Sequence, residues 1–415
     1  MTDWYVVGGA VRDLLAGRPV HDVDISFGGS ADSFLQCFPH ARNTGNGLDI
    51  WLVGSSEFTA LEGNIEEDML ARDLTINASG FDAEGRLFCH PKFVDDLRNK
   101  VLRLASDHAL KNDPLRVFRL ARFAAELPDF SIAPDTMEAM RSFAQCCGDA
   151  LAGLPRERVG REVMRAFAAP RPSRFFSVLL EAGCLSPWFG ELEPAADIPA
   201  GPLPWHDNSV LEHTFEVMDR CAGHPLAVWM GLCHDLGKIL TDESMLPHHY
   251  GHEVKGVDLV KELGSRLCLP SRWIRAAVVG TVLHMKAGMY GSLRSGTRRD
   301  MLYKLREAHV GHDFWLLAGA DGGWDWEPMA ERDMEAMLKV HLPEQWCNRG
   351  EESGKRLRSM QCEALSRLPK YTPERAENAG PEIHTPLKSD KADPPGRSGG
   401  IIRRSPRLFQ EAPIL

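Results

Sequence analysis

The chain has 415 residues, 43% apolar and 26% charged, the composition of a globular protein with room for about two to four domains. A net charge of −10 argues against a bulk electrostatic grip on nucleic acid, so any such contact has to come from a local basic patch. No apolar run approaches the roughly 20 residues that cross a bilayer, so no membrane partner is expected. No basic-then-apolar secretion signal opens the chain. Ten cysteines without CxxC spacing, only Cys146 and Cys147 adjacent, suit reduced thiols and a cytoplasmic location.

The first segment, WYVVGGAVRDLLAGRPVHDVDISF, predicts a strand at 4–7, a turn at Gly8-Gly9, a helix from Val11, and a second strand at 23–27. Further strands are predicted at 49–53 and 57–61. Residues 1–110 therefore read as an α+β head. From Asn112 onward apolar residues recur at three- and four-residue spacing, as in DPLRVFRLARFAAEL and PSRFFSVLLEAGCL, which predicts helices. Residues 111–200 read as an all-α neck and body. The Pro/Gly-rich stretch 191–208 reads as a loop, and residues 205–345 as a second all-α module. Residues 370–415 are poor in apolar side chains and predict a disordered tail.

Positions two apart on a strand face the same way, so Asp22 and Asp24 can hold one or two hard cations between them. Mg2+ prefers carboxylates completed by phosphate oxygens. Gly8 and Gly9 at a strand-to-helix turn let the backbone approach a phosphate, with Arg12 beside it. Asp113, Arg116, Arg119 and Arg122 recur every three residues and predict a slanting ridge on one helix. An Asp accepts from an exocyclic amine and an Arg donates a planar fork, so an Asp113–Arg116 pair suits cytosine and adenine, which both carry an amine beside a ring-nitrogen acceptor. Arg158, Arg161 and Arg165 share a predicted helix face and could meet an RNA backbone.

Four segments in this order, GGAVRD (8–13), HDVD (21–24), ARDLTINA (71–78) and NDPLRVFRLARF (112–123), resemble the class II tRNA nucleotidyltransferases, the CCA-adding enzymes, in particular the bacterial subgroup with a C-terminal HD domain. The resemblance covers roughly residues 4–345. It implies a polymerase-beta-like mixed sheet in the head, Mg2+ on Asp22 and Asp24, and a nucleotide site that includes Arg72 with Gly8, Gly9 and Arg12. It also implies base selection by the 113–122 segment, and as partners CTP, ATP and the tRNA 3′ end. The sequence departs from the family twice. Asn112 stands where Glu is usual, and the stretch TALEGNIEEDMLARD is short and acidic where a longer basic loop is usual. The second departure leaves addition of CC alone open beside full CCA addition. A poly(A) polymerase relative and an HD phosphohydrolase with an inert head also stay open. A third carboxylate is sought at Glu57 or Glu62.

LEHTFEVMD and LCHDLGK supply His213, His234 and Asp235, followed by His248, His249, His252, His284 and Asp321. The order resembles the HD superfamily of metal-dependent phosphohydrolases. It implies one transition-metal ion such as Ni2+ or Mn2+ on His213, His234, Asp235 and Asp321, with His252 and His284 undecided, and phosphodiesterase, nucleotidase or phosphatase activity. Lys238 is a candidate phosphate holder.

Overall fold

The computed structural model describes residues 3–379 apart from residues 21, 44–49, 62 and 204–206. Strands β1 (Trp4–Val7), β2 (Asp24–Phe27), β3 (Arg42–Asn43), β4 (Ile50–Val53), β5 (Ser56–Ala60), β6 (Ser79–Phe81) and β7 (Leu87–Cys89) form one sheet in the order β3-β4-β5-β2-β1-β6-β7. Only the β2–β5 pair is parallel, so the sheet is mixed as expected. Helices α1 (Gly9–Leu15), α2 (Ala31–Cys37), α3 (Ile65–Ala71) and α4 (Phe93–Arg98) belong to the head.

Period-two alternation assigns the two faces. Phe27, Phe34, Trp51 and Phe58 pack on one face, with Phe27 and Phe34 stacked 4.6 Å apart. Val7, Ile65, Met69 and Ala78 pack on the other, under α3. Ile25 and Phe27 belong to the first face, so Asp24 and Ser26 belong to the second. Seven of the fifteen residues in the stretch expected to be a short acidic loop form helix α3. An Asn64–Glu67 capping box starts α3 and leaves residues 61–64 as the connection from β5.

Beyond β8 (Val101–Leu102) lie α5 (Ala109–Asn112), α6 (Arg116–Glu126), β9 (Ser131–Ile132), α7 (Pro134–Ala152), α8 (Arg156–Phe167) and α9 (Ser173–Glu181). Then come α10 (Val210–Arg220), α11 (Pro225–Cys233), α12 (His252–Arg266), α13 (Ser271–Ala287), α14 (Ser295–Ala308), α15 (Gly311–Gly322), β10 (Trp324–Asp325), α16 (Glu327–Leu338), α17 (Glu351–Ser366) and β11 (Glu374–Arg375). One continuous apolar core runs from Leu74 to Leu365, through the neck, the body and the C-terminal helices. The stretch 191–208 is accordingly no free linker: Leu192 and Ala195 are buried, and Pro199 bridges Ser209.

Helix α8 is the strut of this arrangement. Its Gly160 lies so close to α12 that an added Cβ would collide with the Leu267 carbonyl oxygen, and Arg156 donates to the carbonyls of Ser265 and Arg266. The tail departs from expectation at its start. Residues 370–379 pack back on the last helices, with β11 paired to β10 and Asn378 Nδ2 donating 2.9 Å to the Leu316 carbonyl. Tyr371 packs on Trp326 and Ala376 is buried, but two isolated apolar residues beside backbone and amide contacts make no periodic pattern for the sequence to show. The remainder of the expected tail, from 380 on, lies outside the described residues, as does Glu62.

Candidate active sites on the head sheet and in the C-terminal helices

Asp24 stands at the middle of the head sheet. Its register partner on β1 is Val7, next to the Gly8 turn, and its partner on the parallel β5 is Glu57. Aligned residues of neighbouring strands share a face, so Glu57 accompanies Asp24. This neighbour was one of two candidates from sequence, and only the β2–β5 pairing distinguishes it. Asp22 precedes the strand, and as whole residues both Asp22 and Asp24 are exposed, although the Asp24 carboxyl itself is partly enclosed. Asp24's carboxyl is pushed above the usual range, first by desolvation. Arg72 acts the other way, and Asp22 raises it further. The positive charges of Arg165 on α8 and Arg119 on α6 also work to lower it.

Gly8 has φ +75° and ψ −133°, a conformation that favours glycine, and a Cβ there would meet Arg72 Nη1 at 3.0 Å. Its own N–H donates to the Ser79 carbonyl at 2.9 Å, so it is not free for a phosphate. Gly8 instead lets Arg72 come close to Asp24, and Gly9 opens α1. Arg72 is held by Asp68 at 2.8 Å. Arg12 is buried and engaged: Nη1 donates 2.7 Å to Asn77 Oδ1, and Nε and Nη2 grip Asp13 at 2.9 Å each. Arg12 therefore braces α1 against the turn at 75–77 rather than reaching into solvent.

The expected ridge is broken up by its partners. Asp113 ends α5 in extended backbone, before α6 begins at Arg116. Its Oδ1 accepts from Leu115 N at 3.1 Å and its Oδ2 from Arg158 Nη2 at 2.9 Å. Arg116 donates to the carbonyls of Ala71 and Arg72, at 2.6 and 3.2 Å. Arg119 holds Asp73 through two bonds of 2.8 and 2.6 Å. Burial works to raise the Asp73 carboxyl, but Arg119, Asn77 and the Leu74 N–H together hold it below the usual range. Arg122 is buried against Glu162 and Glu126, so it fastens α6 to α8. Phe123, which sequence spacing did not single out, is ringed by the guanidinium groups of Arg122, Arg12 and Arg119 at 4.0, 5.6 and 6.0 Å.

Arg158, Arg161 and Arg165 do not act alike. Arg158 turns inward to Asp113, while Arg161 and Arg165 are exposed. Three- and four-residue spacing put them on one helix face but could not say what that face meets.

The second constellation is buried. His213 lies on α10, which a Ser209–Glu212 capping box starts. His234 and Asp235 follow α11, an all-apolar helix whose burial carries them inside. His252 opens α12, His284 lies on α13 and Asp321 on α15. The ring Nδ1 atoms of His234, His252 and His284 each face a carbonyl three residues back, at 2.7, 2.7 and 2.8 Å. A carbonyl only accepts, so each Nδ1 carries the hydrogen and each Nε2 is left to a cation. Around Asp235 Oδ2 stand His234 Nε2 at 3.2 Å and His213 Nε2 at 3.7 Å, with Asp321 Oδ1 3.1 Å from His213. Around Asp235 Oδ1 stand His252 Nε2 at 3.2 Å and His284 Nε2 at 3.5 Å.

Ligand atoms around one ion with bonds of about 2.1 Å are about 3.0–3.4 Å apart, close to these separations. Asp235 Oδ1 is buried and finds no hydrogen-bond donor. Both observations fit a metal on either side of Asp235. Burial works against charging His234, but Asp235 and Asp321 outweigh it and lift its pKa to about 9. His249 takes no part: its nitrogens face the Pro199 carbonyl and Thr241 Oγ1, at 2.8 Å each. Lys238 is buried and donates to Asp235 at 2.6 Å and to the Ala200 carbonyl at 2.7 Å, which leaves it poorly placed to hold a phosphate. Among the described residues, the head carboxylates do not close a comparable three-ligand set.

Two outcomes test these sites. Wild-type protein dialysed against Ni2+ or Mn2+ should retain two equivalents in the C-terminal helices by elemental analysis, with His252→Ala keeping one and Asp235→Ala neither; equal metal contents would contradict the shared carboxylate. Asp24→Asn should raise the melting temperature of metal-free protein at neutral pH. A carboxyl with a raised folded pKa loses its stabilising contribution as pH rises through that value, so its ionised form is a burden the amide removes. A lower melting temperature would contradict the desolvation of Asp24.

Family patterns match three stretches: the poly(A) polymerase head domain at residues 4–49, the probable RNA and SrmB-binding site of polymerase A at 129–196, and the HD domain at 210–310. The multifunctional CCA protein of Actinobacillus pleuropneumoniae serotype 5b is 37% identical over 353 residues, covering 76% of this chain and 84% of that one. That of Azoarcus sp. strain BH72 is 38% identical over 293 residues, covering 64% and 69%. The crystal structure of the Bacillus stearothermophilus CCA-adding enzyme in complex with CTP superposes with a TM-score of 0.65 at 21% identity, over 88% of each chain. The Thermotoga maritima CCA-adding enzyme complexed with tRNA gives 0.60 at 17%, over 89% and 88%. A mixed-sheet head carrying Asp24 at its centre, a helical body, an HD histidine cluster and this identity across most of both chains have one common reading: the chain belongs to the family of the multifunctional CCA proteins.

Proposed function

We propose that the head transfers nucleotides from CTP and ATP to the 3′ end of tRNA, completing CCA and releasing pyrophosphate. The observation that carries this reading is the placement of Asp24 between the Gly8 turn and Glu57, with Arg72, Arg119 and Arg165 acting on it from around the sheet. Asp22 and Asp24 would hold Mg2+, which when bound neutralises phosphate charge and favours the 3′ hydroxyl as nucleophile. Arg72, steadied by Asp68, is aimed at the triphosphate. Asp113 and Arg116 read the base edge. Arg158 fixes Asp113, a task the sequence assigned to no residue once Asn112 replaced the usual glutamate. Arg119 and Arg122 hold the reading helix in place through Asp73 and Glu162. Arg161 and Arg165 remain as the exposed pair for the RNA backbone.

Within this reading the domains follow the segments read from sequence: head 1–110, neck and body 111–200, HD module 205–345. In the HD module, His213, His234, Asp235 and Asp321 would hold one divalent ion, and Asp235, His252 and His284 a second. Ions of this kind supply an activated water to phosphate esters. Ni2+ and Mn2+ both suit imidazole-carboxylate ligands.

A second reading, addition of CC alone, is favoured by the shortness of the 61–64 connection before α3. Radiolabelled ATP with a tRNA ending in CC separates the two. Incorporated adenosine is expected, and adenosine refused while CTP is still added to the discriminator base would establish CC addition. Failure of both nucleotides would refute the transferase reading. Arg158→Ala should raise UMP misincorporation relative to CMP by about tenfold, the loss of one charge-assisted hydrogen bond, with the KM for tRNA unchanged. A raised KM for tRNA with selectivity intact would return Arg158 to the RNA surface.

A further inference from the structure

Neither site accounts for the pair Cys146-Cys147. Adjacent side chains on a regular helix diverge by about 100° and do not meet. Here α7 is kinked at Cys147, whose φ of −137° and ψ of 21° are not helical, and the two Sγ atoms lie 2.9 Å apart. Cys146 is exposed and Cys147 partly so, which leaves both sulfurs open to a reagent.

The geometry narrows the occupant. The peptide joining the two residues is trans, so their Cα atoms are about 3.8 Å apart, short of the ~4.4–6.8 Å that disulfides span. A direct S–S bond would therefore be strained and readily reduced. Among the described residues no third His, Cys, Asp or Glu joins the pair in a metal-binding group, which excludes a four-ligand Zn2+ site built from this surface. The hydrogen bond with Cys146 and burial raise the pKa of Cys147, and Lys111 only partly opposes them, so Cys147 is poorly suited to act as a thiolate nucleophile.

We propose that Cys146 and Cys147 form a vicinal dithiol site for trivalent arsenic, held by two sulfurs and completed by its own oxygen or carbon substituent. With arsenite, two As–O and two S–H bonds break, two As–S bonds form and two waters leave, without any change of oxidation state.

The test is full-length protein treated with phenylarsine oxide, which condenses with two thiols and loses one water, then washed with excess monothiol. Intact mass should show one equivalent retained, peptide mapping should place it on the peptide containing Cys146 and Cys147, and a competing dithiol should remove it. Cys146→Ser and Cys147→Ser, checked for folding by circular dichroism, should each lose the retained adduct, whereas Cys37→Ser and Cys347→Ser should keep it. An adduct that the monothiol strips from wild type, or that maps only to other cysteines, overturns the proposal without touching the nucleotidyltransferase reading.

Discussion

The parallel pairing of β2 with β5 is the constraint on which the head depends. It sets Glu57 beside Asp24, and the antiparallel pairing with β1 sets the Gly8 turn on the other side. Asp24's carboxyl pKa is raised first by desolvation, and the negative charge of Asp22 adds repulsion to it. The repulsion is tolerated because Arg72 reaches in over a residue without a side chain. A divalent cation with an anionic triphosphate is the ligand that such an unbalanced acidic group flanked by guanidinium charge would relieve.

The second dependence is mechanical. Helix α8 meets the 113–116 segment through Arg158 and Asp113, the neck through Glu162 and Arg122, and the HD module through Gly160 and Leu267. These contacts run alongside an apolar core that is continuous from Leu74 to Leu365. The buried Arg122–Glu162 pair adds geometric definition more than stability, because burying two charges costs most of what their attraction returns.

How much of this was legible in the sequence depended on range. The β1–Gly8–α1–β2 unit was readable because alternation and turn chemistry act within a few residues. The histidines and aspartates of the HD module were readable in order, but their convergence was not. His252 and His284 joined Asp235 only once α12 and α13 were packed, and His249 was turned away by Pro199 and Thr241. Arginine periodicity was the weakest guide. Arg12, Arg122 and Arg158 all carry spacings that suit a ligand-binding face, and all three are claimed by protein carboxylates or amides. Spacing fixes a face, whereas the partner across it is a tertiary fact. The ordered stretch 370–379 was missed for a similar reason, since it is held by a two-residue strand pair, one amide and the isolated apolar contacts of Tyr371 and Ala376, which form no periodic pattern.

Where a nucleotide sits on the head is the most direct test. A crystal structure of the chain with Mg2+ and CTP should show the ion between Asp22, Asp24 and the triphosphate, Arg72 on a phosphate oxygen, and the cytosine edge against Asp113 and Arg116 with Arg158 still on Asp113. Triphosphate density away from Asp24, or cytosine facing a surface other than the start of α6, would contradict it.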